Sequence, residues 1–183
     1  MRDEREPVGP SAICVCELPR TNDMLPSFLM GLVGGQRAMT PLAAVAVAAA
    51  RGKLPADNGA PRILAHPLVA AGTVALAAGE MAGDKMKTAP DRIVLIGLAA
   101  RFITSAVAGA ALASHRKRWL GAAVGGATAV VASYPGWRAR MAAMKHHDQT
   151  STGLVEDAVV LASAVTILRA LGKSAPARHH SGG

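Results

Sequence analysis

Aromatic side chains are scarce in this chain of 183 residues, which contains two Trp, one Tyr and two Phe. Aromatic residues make up 3% of the sequence, whereas hydrophobic residues make up 51%. Soluble cores usually contain more rings, while small residues such as Gly and Ala let helices pack closely inside lipid. The shortage of aromatics also removes a stacking surface for nucleobases. We therefore do not expect nucleic-acid binding, despite a net charge of +8.

Cysteine and recognisable catalytic motifs are also scarce. Cys14 and Cys16 form a C-x-C pair without the further Cys or His ligands that a structural zinc requires. The chain contains no nucleophile elbow, no metalloprotease motif and no phosphate-binding loop. We therefore predict no catalytic, metal-binding or cofactor-binding residue, and an enzyme is disfavoured.

Basic residues occur in short groups between apolar segments, an arrangement typical of loops that touch anionic lipid headgroups. The groups are Arg51, Lys53 and Arg62; Lys85, Lys87 and Arg92; Arg116, Lys117 and Arg118; and Arg138, Arg140 and Lys145. The predicted partner is a bilayer with anionic headgroups.

The chain divides into a tail at each end and an apolar middle. Residues 1–23 mix both charge signs with several prolines, which indicates a disordered tail and not a secretory signal. Residues 24–171 are predicted to form a transmembrane helical domain, and residues 172–183 a flexible tail. The middle holds five apolar segments, at residues 24–50, 63–79, 93–113, 119–134 and 154–171. Each is marginal beside the roughly 20 residues of a full span, but together they predict an all-α integral membrane bundle of four or five spans.

The first segment is longer than one span and contains the sequence GGQRAMTP. Pro41 lacks a backbone donor and biases Thr40 away from helix, so we predict a broken helix at Gly34, Gly35 and Pro41. The alternative is one kinked helix whose Arg37 side chain reaches an interface.

Charged residues within or beside the apolar segments predict a buried polar cluster. One charge at the bilayer centre costs at least about 2.5 to 3.5 kcal/mol, so the arginines need acidic partners. The candidates are Arg37, Glu80, Asp84, Lys85, Arg101, Glu156 and Asp157. Glu156 and Asp157 also stand near the expected start of the last helix, where acids favour the helix dipole.

Two functions remain open for this cluster. The first is permeation of an ion, a proton or a small solute. The second is a non-catalytic membrane scaffold or assembly protein whose buried charges are structural. The G-x-x-x-G spacing of Gly121 and Gly125 predicts a helix-packing face, which is compatible with a homo-oligomer.

Several motifs resemble a bacterial family of small integral membrane proteins, catalogued as domain of unknown function number four-one-two-six. They are GGQRAMTPLAAVAVAAARGKL, GEMAGDK with PDR beyond it, a glycine-rich segment ending in GWRAR, and VEDAVVL. The likeness covers residues 28–168, and the chain departs from it at Met86 and Lys87, where relatives have an aliphatic residue and then Pro. The resemblance implies a multi-pass protein of the bacterial inner membrane and implies no activity.

Overall fold

The computed structural model describes residues 24–83, 95–143 and 149–174. Within these ranges the backbone forms six α-helices and no strand, so the predicted all-α class is confirmed there. The helices are α1 (Leu25–Gln36), α2 (Met39–Ala50), α3 (Pro67–Gly83), α4 (Leu95–Leu112), α5 (Arg118–Ala143) and α6 (Gln149–Ser174), with short 3-10 turns at Arg62–Ala65 and His115–Lys117.

In the described part of the chain, α4 is the one helix long and apolar enough to cross a bilayer, judged by length and composition. It has 18 residues with a mean hydropathy of 1.7, and 39% of them are buried. Helices α2 and α3 are also apolar but have 12 and 17 residues. Helix length and hydropathy therefore leave the predicted number of spans undecided.

The first apolar segment forms two helices, α1 and α2, that meet at a corner. The interruption lies at Arg37 and Ala38, where Arg37 adopts extended backbone angles (φ −138°, ψ 120°). Gly34 and Gly35 belong to the last turn of α1, and the corner is narrower than the predicted stretch. The expectation that Thr40 avoids helix was wrong. Pro41 lies in the first turn of α2, where a missing N–H breaks no helical hydrogen bond.

Contacts with α4 show that α1 and α2 form a hairpin that turns back on itself. The Ser27 hydroxyl, near the start of α1, donates to the Gly109 carbonyl at 2.8 Å, while Gly34 packs on Ser105 one turn earlier in α4. Helix α1 thus runs antiparallel to α4. Helix α2 returns toward the level where α1 began: Val45, at mid-helix, packs in one core with Ala108, and the loop after α2 contacts the end of α4. Each 12-residue arm is about 18 Å long.

One end of the bundle carries two of the basic groups, in the loops after α2 and α4, and is called the basic end below. The Gly59 N–H, in the loop after α2, donates to the Ala113 carbonyl after α4 at 2.9 Å, so these two loops lie together. Exposed basic side chains of the two loops include Arg51, Lys53 and Arg116. From this end α3 runs antiparallel to α2, and its far end reaches the hairpin corner.

Helices α5 and α6 are longer than their apolar segments predicted. The apolar segments stop at residue 134 and resume at residue 154, but α5 continues through Pro135 to Ala143 and α6 begins at Gln149. Contacts beyond the proline explain the continuation: Gly136 packs on the Gln36 side chain, and Arg140 forms an ion pair with Glu156. These contacts hold the extra turns although the proline removes one helical hydrogen bond.

Glycines allow α5 to lie against α1 and α4 with almost no side chain between the backbones. A Cβ atom on Gly121 would stand 2.6 Å from the Gly109 carbonyl oxygen, and one on Gly125 would stand 2.5 Å from the Ser105 carbonyl oxygen. Gly31 of α1 faces the Gly125 carbonyl oxygen at a similar distance. The G-x-x-x-G face is therefore covered within the chain, and any contact between copies must use another surface.

Candidate functional site

The corner of the hairpin exposes the first backbone N–H groups of α2, and Glu80 of α3 satisfies two of them. Its carboxylate oxygens accept hydrogen bonds from the N–H groups of Ala38 and Met39, each at 2.8 Å. The α2 cap residue, Ala38, offers no side-chain acceptor of its own. An anion at a helix N-terminus also interacts favourably with the helix dipole. Glu80 therefore caps α2 from a neighbouring helix.

Arg37, the extended residue of the corner, points into the bundle and meets α6. Its guanidinium forms an ion pair with Asp157 at 2.5 Å, and the side chains are 1% and 9% exposed. Asp157 and Glu156 lie about two turns inside α6, which begins at Gln149. The interpretation of these acids as residues of a helix start was wrong, because α6 begins earlier than its apolar segment.

A second ion pair joins the lengthened parts of α5 and α6. Arg140 donates from Nη1 to the Glu156 carboxylate at 3.1 Å, and both side chains are mostly buried. The prediction that Arg140 lies in a loop facing headgroups is wrong, because Arg140 belongs to α5. The overlooked signal was periodicity, since Arg140 follows the buried Ser133 by two helical turns and so lies on the same face of α5.

Arg101 of α4 belongs to the same layer of charge. It is buried, and its guanidinium is near enough to Glu80 and Glu156 to be attracted by them and to Arg37 to be repelled by it. The charge layer therefore consists of Arg37, Glu80, Arg101, Arg140, Glu156 and Asp157, and it joins α2, α3, α4, α5 and α6 at the level of the hairpin corner. The other two predicted members of the cluster, Asp84 and Lys85, lie outside the described residues.

An apolar groove runs along α2 from the basic end to the charge layer. It has a volume of about 1270 Å³, with α2 as its floor and α3 and α6 as its walls. Thr40 lines the inner end, beside the Met39 backbone that Glu80 caps. Its hydroxyl is buried and has no hydrogen-bond partner within residues 24–83, 95–143 and 149–174. Exposed Arg51 and Lys53 line the outer end.

In the portion of the chain that the structure describes, no three His, Cys, Asp or Glu side chains come together as a metal site.

Family models, curated proteins and solved structures were compared with the chain, and none gives a significant match. The family resemblance drawn from GEMAGDK and the other motifs therefore stays a prediction.

Proposed function

We propose that the chain is a multi-pass integral membrane protein. The observation that carries this proposal is its inverted polarity. Leu95, Leu68 and Val131 are 84%, 76% and 70% exposed, whereas Arg37 and Arg101 are 1% and 6% exposed. Large exposed side chains of this kind extend over α1, α3, α4, α5 and α6. Water disfavours so many exposed large apolar side chains, while hydrocarbon accommodates them.

The dimensions support the same proposal. Helix α4 is about 27 Å long, close to the roughly 30 Å of bilayer hydrocarbon. Each arm of the α1 and α2 hairpin reaches about halfway, and such an interrupted backbone is tolerated at membrane depth where protein satisfies it. At the corner, the Glu80 carboxylate accepts hydrogen bonds from the backbone N–H groups that the interruption leaves free. The basic end then faces anionic headgroups, in a bacterial inner membrane if the family resemblance holds.

Within this membrane protein, we propose a structural and non-catalytic role for the charge layer. Each carboxylate of the layer has a partner: Glu80 caps α2, Asp157 pairs with Arg37, and Glu156 pairs with Arg140. Paired charges at this depth fix which helices meet and at what height, because an unpaired charge there is costly. The protein is then a scaffold whose charge layer holds the α1 and α2 hairpin about halfway across the bilayer. The groove along α2 is its binding surface.

Membrane integration is tested by extraction of native membranes with alkaline carbonate. The protein is expected to stay in the pellet, because a chain held by buried apolar surface resists high pH and loss of ionic contacts. A peripheral protein bound through its basic residues alone is the control, and it should enter the supernatant. Release of this chain together with the control would contradict the membrane proposal.

Permeation is the second candidate, and the unpartnered hydroxyl of Thr40 favours it. A polar atom at the inner end of the groove, next to the charge layer, is where a solute entering from the basic end would arrive. The test places a single cysteine by Thr40→Cys after Cys14 and Cys16 are changed to Ser. Reaction with a hydrophilic thiol reagent in sealed vesicles supports permeation, and protection supports the structural role. Val45→Cys, at a fully buried core position, is the control for background reaction.

A further inference from the structure

The groove along α2 has the shape and depth of a site for one lipid acyl chain. Its floor is made of small residues such as Ala44 and Val47, and its walls come from Val74 of α3 and Leu161 and Val165 of α6. Helices α3 and α6 line opposite sides, and Ala44 and Val47 between them are half-buried. A volume of about 1270 Å³ is far more than an ion requires and exceeds the 300 to 1,000 Å³ of common small-ligand pockets.

The length of the groove matches one leaflet. Thr40 and Arg51 mark its ends on α2, and the eleven-residue rise between them is about 16 Å. Half of a hydrocarbon core of roughly 30 Å is about 15 Å. A chain inserted from the basic end would therefore end near the charge layer.

The basic side chains at the outer end of the groove favour an anionic headgroup. Arg51 and Lys53 after α2 and Arg169 of α6 line the groove and are exposed, while Asp57 is the acid among the residues lining it. Among the described residues that line the groove, three cations from two separate segments thus accompany one acid at the end nearest the basic loops. Basic side chains at this end attract anionic headgroups.

We propose that this groove binds an anionic phospholipid, with one acyl chain along α2 and the phosphate held by Arg51, Lys53 and Arg169. The inference rests on the proposed membrane location. It also explains why the groove along α2 is left unfilled by side chains between α3 and α6: lipid completes the packing.

The binding test uses the full-length protein in mild detergent, titrated with phosphatidylglycerol or phosphatidylcholine and followed by native mass spectrometry and thermal unfolding. Phosphatidylglycerol is expected to bind more tightly and to raise the unfolding temperature. The double variant Arg51→Glu with Arg169→Glu should weaken that binding by at least about tenfold. Arg62→Glu with Arg116→Glu makes the same charge change at two exposed positions that do not line the groove, and it should leave binding unchanged.

A second variant tests the acyl chain separately from the headgroup. Ala44→Leu places a larger apolar side chain on the groove floor and should reduce phosphatidylglycerol binding while the charges stay intact. Two results would overturn the proposal: equal binding of phosphatidylglycerol and phosphatidylcholine, or a rise of the unfolding temperature with inorganic phosphate alone that equals the rise with phosphatidylglycerol. So would a dimer in detergent that Ala44→Leu dissociates, because a second copy would then occupy the groove. If the chain stays in carbonate-washed membranes but shows no lipid preference, only this inference fails; if carbonate releases it, the membrane proposal fails as well.

Discussion

At the scale of single residues, one carboxylate decides how α2 begins. Ala38 cannot cap the helix, and the N–H groups of Ala38 and Met39 lie at a corner inside the bundle. Glu80 reaches them from α3, so the interaction that caps α2 also holds α3 against α2. Loss of a capping interaction typically costs about 1 kcal/mol, and more where the freed donors are buried.

The change Glu80→Gln should lower the free energy of unfolding in detergent by about 1 to 2 kcal/mol, because the amide keeps one acceptor oxygen and loses the charge. Thermal unfolding of the purified protein measures this. Asp57→Asn removes the same charge from an exposed loop and should have little effect. If Glu80→Gln equals the parent in stability, Glu80 is not retained for folding, and permeation becomes the better explanation of its position.

The Arg37 and Asp157 pair is the second residue-scale feature, and a double-mutant cycle tests it. Either Arg37→Met or Asp157→Leu alone should cost about 3 to 5 kcal/mol, since each leaves a buried charge without its partner. The double variant should recover most of that loss. Unfolding titrations of all four proteins measure the coupling. Additive losses would indicate that the two side chains do not depend on each other.

At the scale of elements, the glycines of α5 set the distance to α1 and α4. Gly125 contacts the α4 backbone at Ser105, and Gly31 of α1 contacts the carbonyl of Gly125 itself. Three helix backbones therefore converge at one point, which leaves no room for a side chain. In lipid, close packing of this kind replaces the hydrophobic effect as the force between helices.

The substitution Gly125→Leu should destabilise the isolated chain by several kcal/mol, because the added side chain must separate α5 from α4. Ala123→Leu, on the exposed side of the same helix, is the matched control and should be tolerated. Unfolding and sizing in detergent distinguish two outcomes. A change in oligomeric state with unchanged stability would mean that Gly125 serves a contact between copies instead.

At the scale of the whole molecule, the polarity of the surface is the decisive property. Val131 is 70% exposed on α5, yet the opposite face of that helix packs through glycine and alanine. In water a charge at Val131 would be harmless. In a bilayer it would cost about 2.5 to 3.5 kcal/mol at the membrane centre.

We therefore expect Val131→Lys to reduce the amount of protein recovered in the membrane fraction and to lower its stability there. The comparison is Ala56→Lys, which adds the same charge to an exposed loop at the basic end and should be neutral. Membrane yield and thermal unfolding of both variants supply the measurement. Improved solubility of the Val131→Lys protein without detergent would argue for a water-soluble bundle.

Local patterns in the sequence were informative where the physics is local. The apolar segments located the helices, although the segment that stops before Pro135 left out the last third of α5. Thr40 and Pro41 were misjudged because the effect of a proline depends on its position in the helix, and a first turn tolerates it. The burial of Arg140 was not predicted because Arg140 lies in the part of α5 beyond Pro135.

What the sequence determined by itself is the helical class and the need for partners: small apolar residues favour close helix packing, and an arginine in an apolar segment must meet an acid. Tertiary structure alone decided which acid each arginine meets and that α2 turns back beside α1. Hydropathy and periodicity are properties of neighbouring residues, whereas the pairing of Arg37 with Asp157 and the capping of α2 by Glu80 join segments far apart in the chain. These pairs form only once the helices are packed, because the direction of each helix sets the level in the bundle at which its charged residues lie.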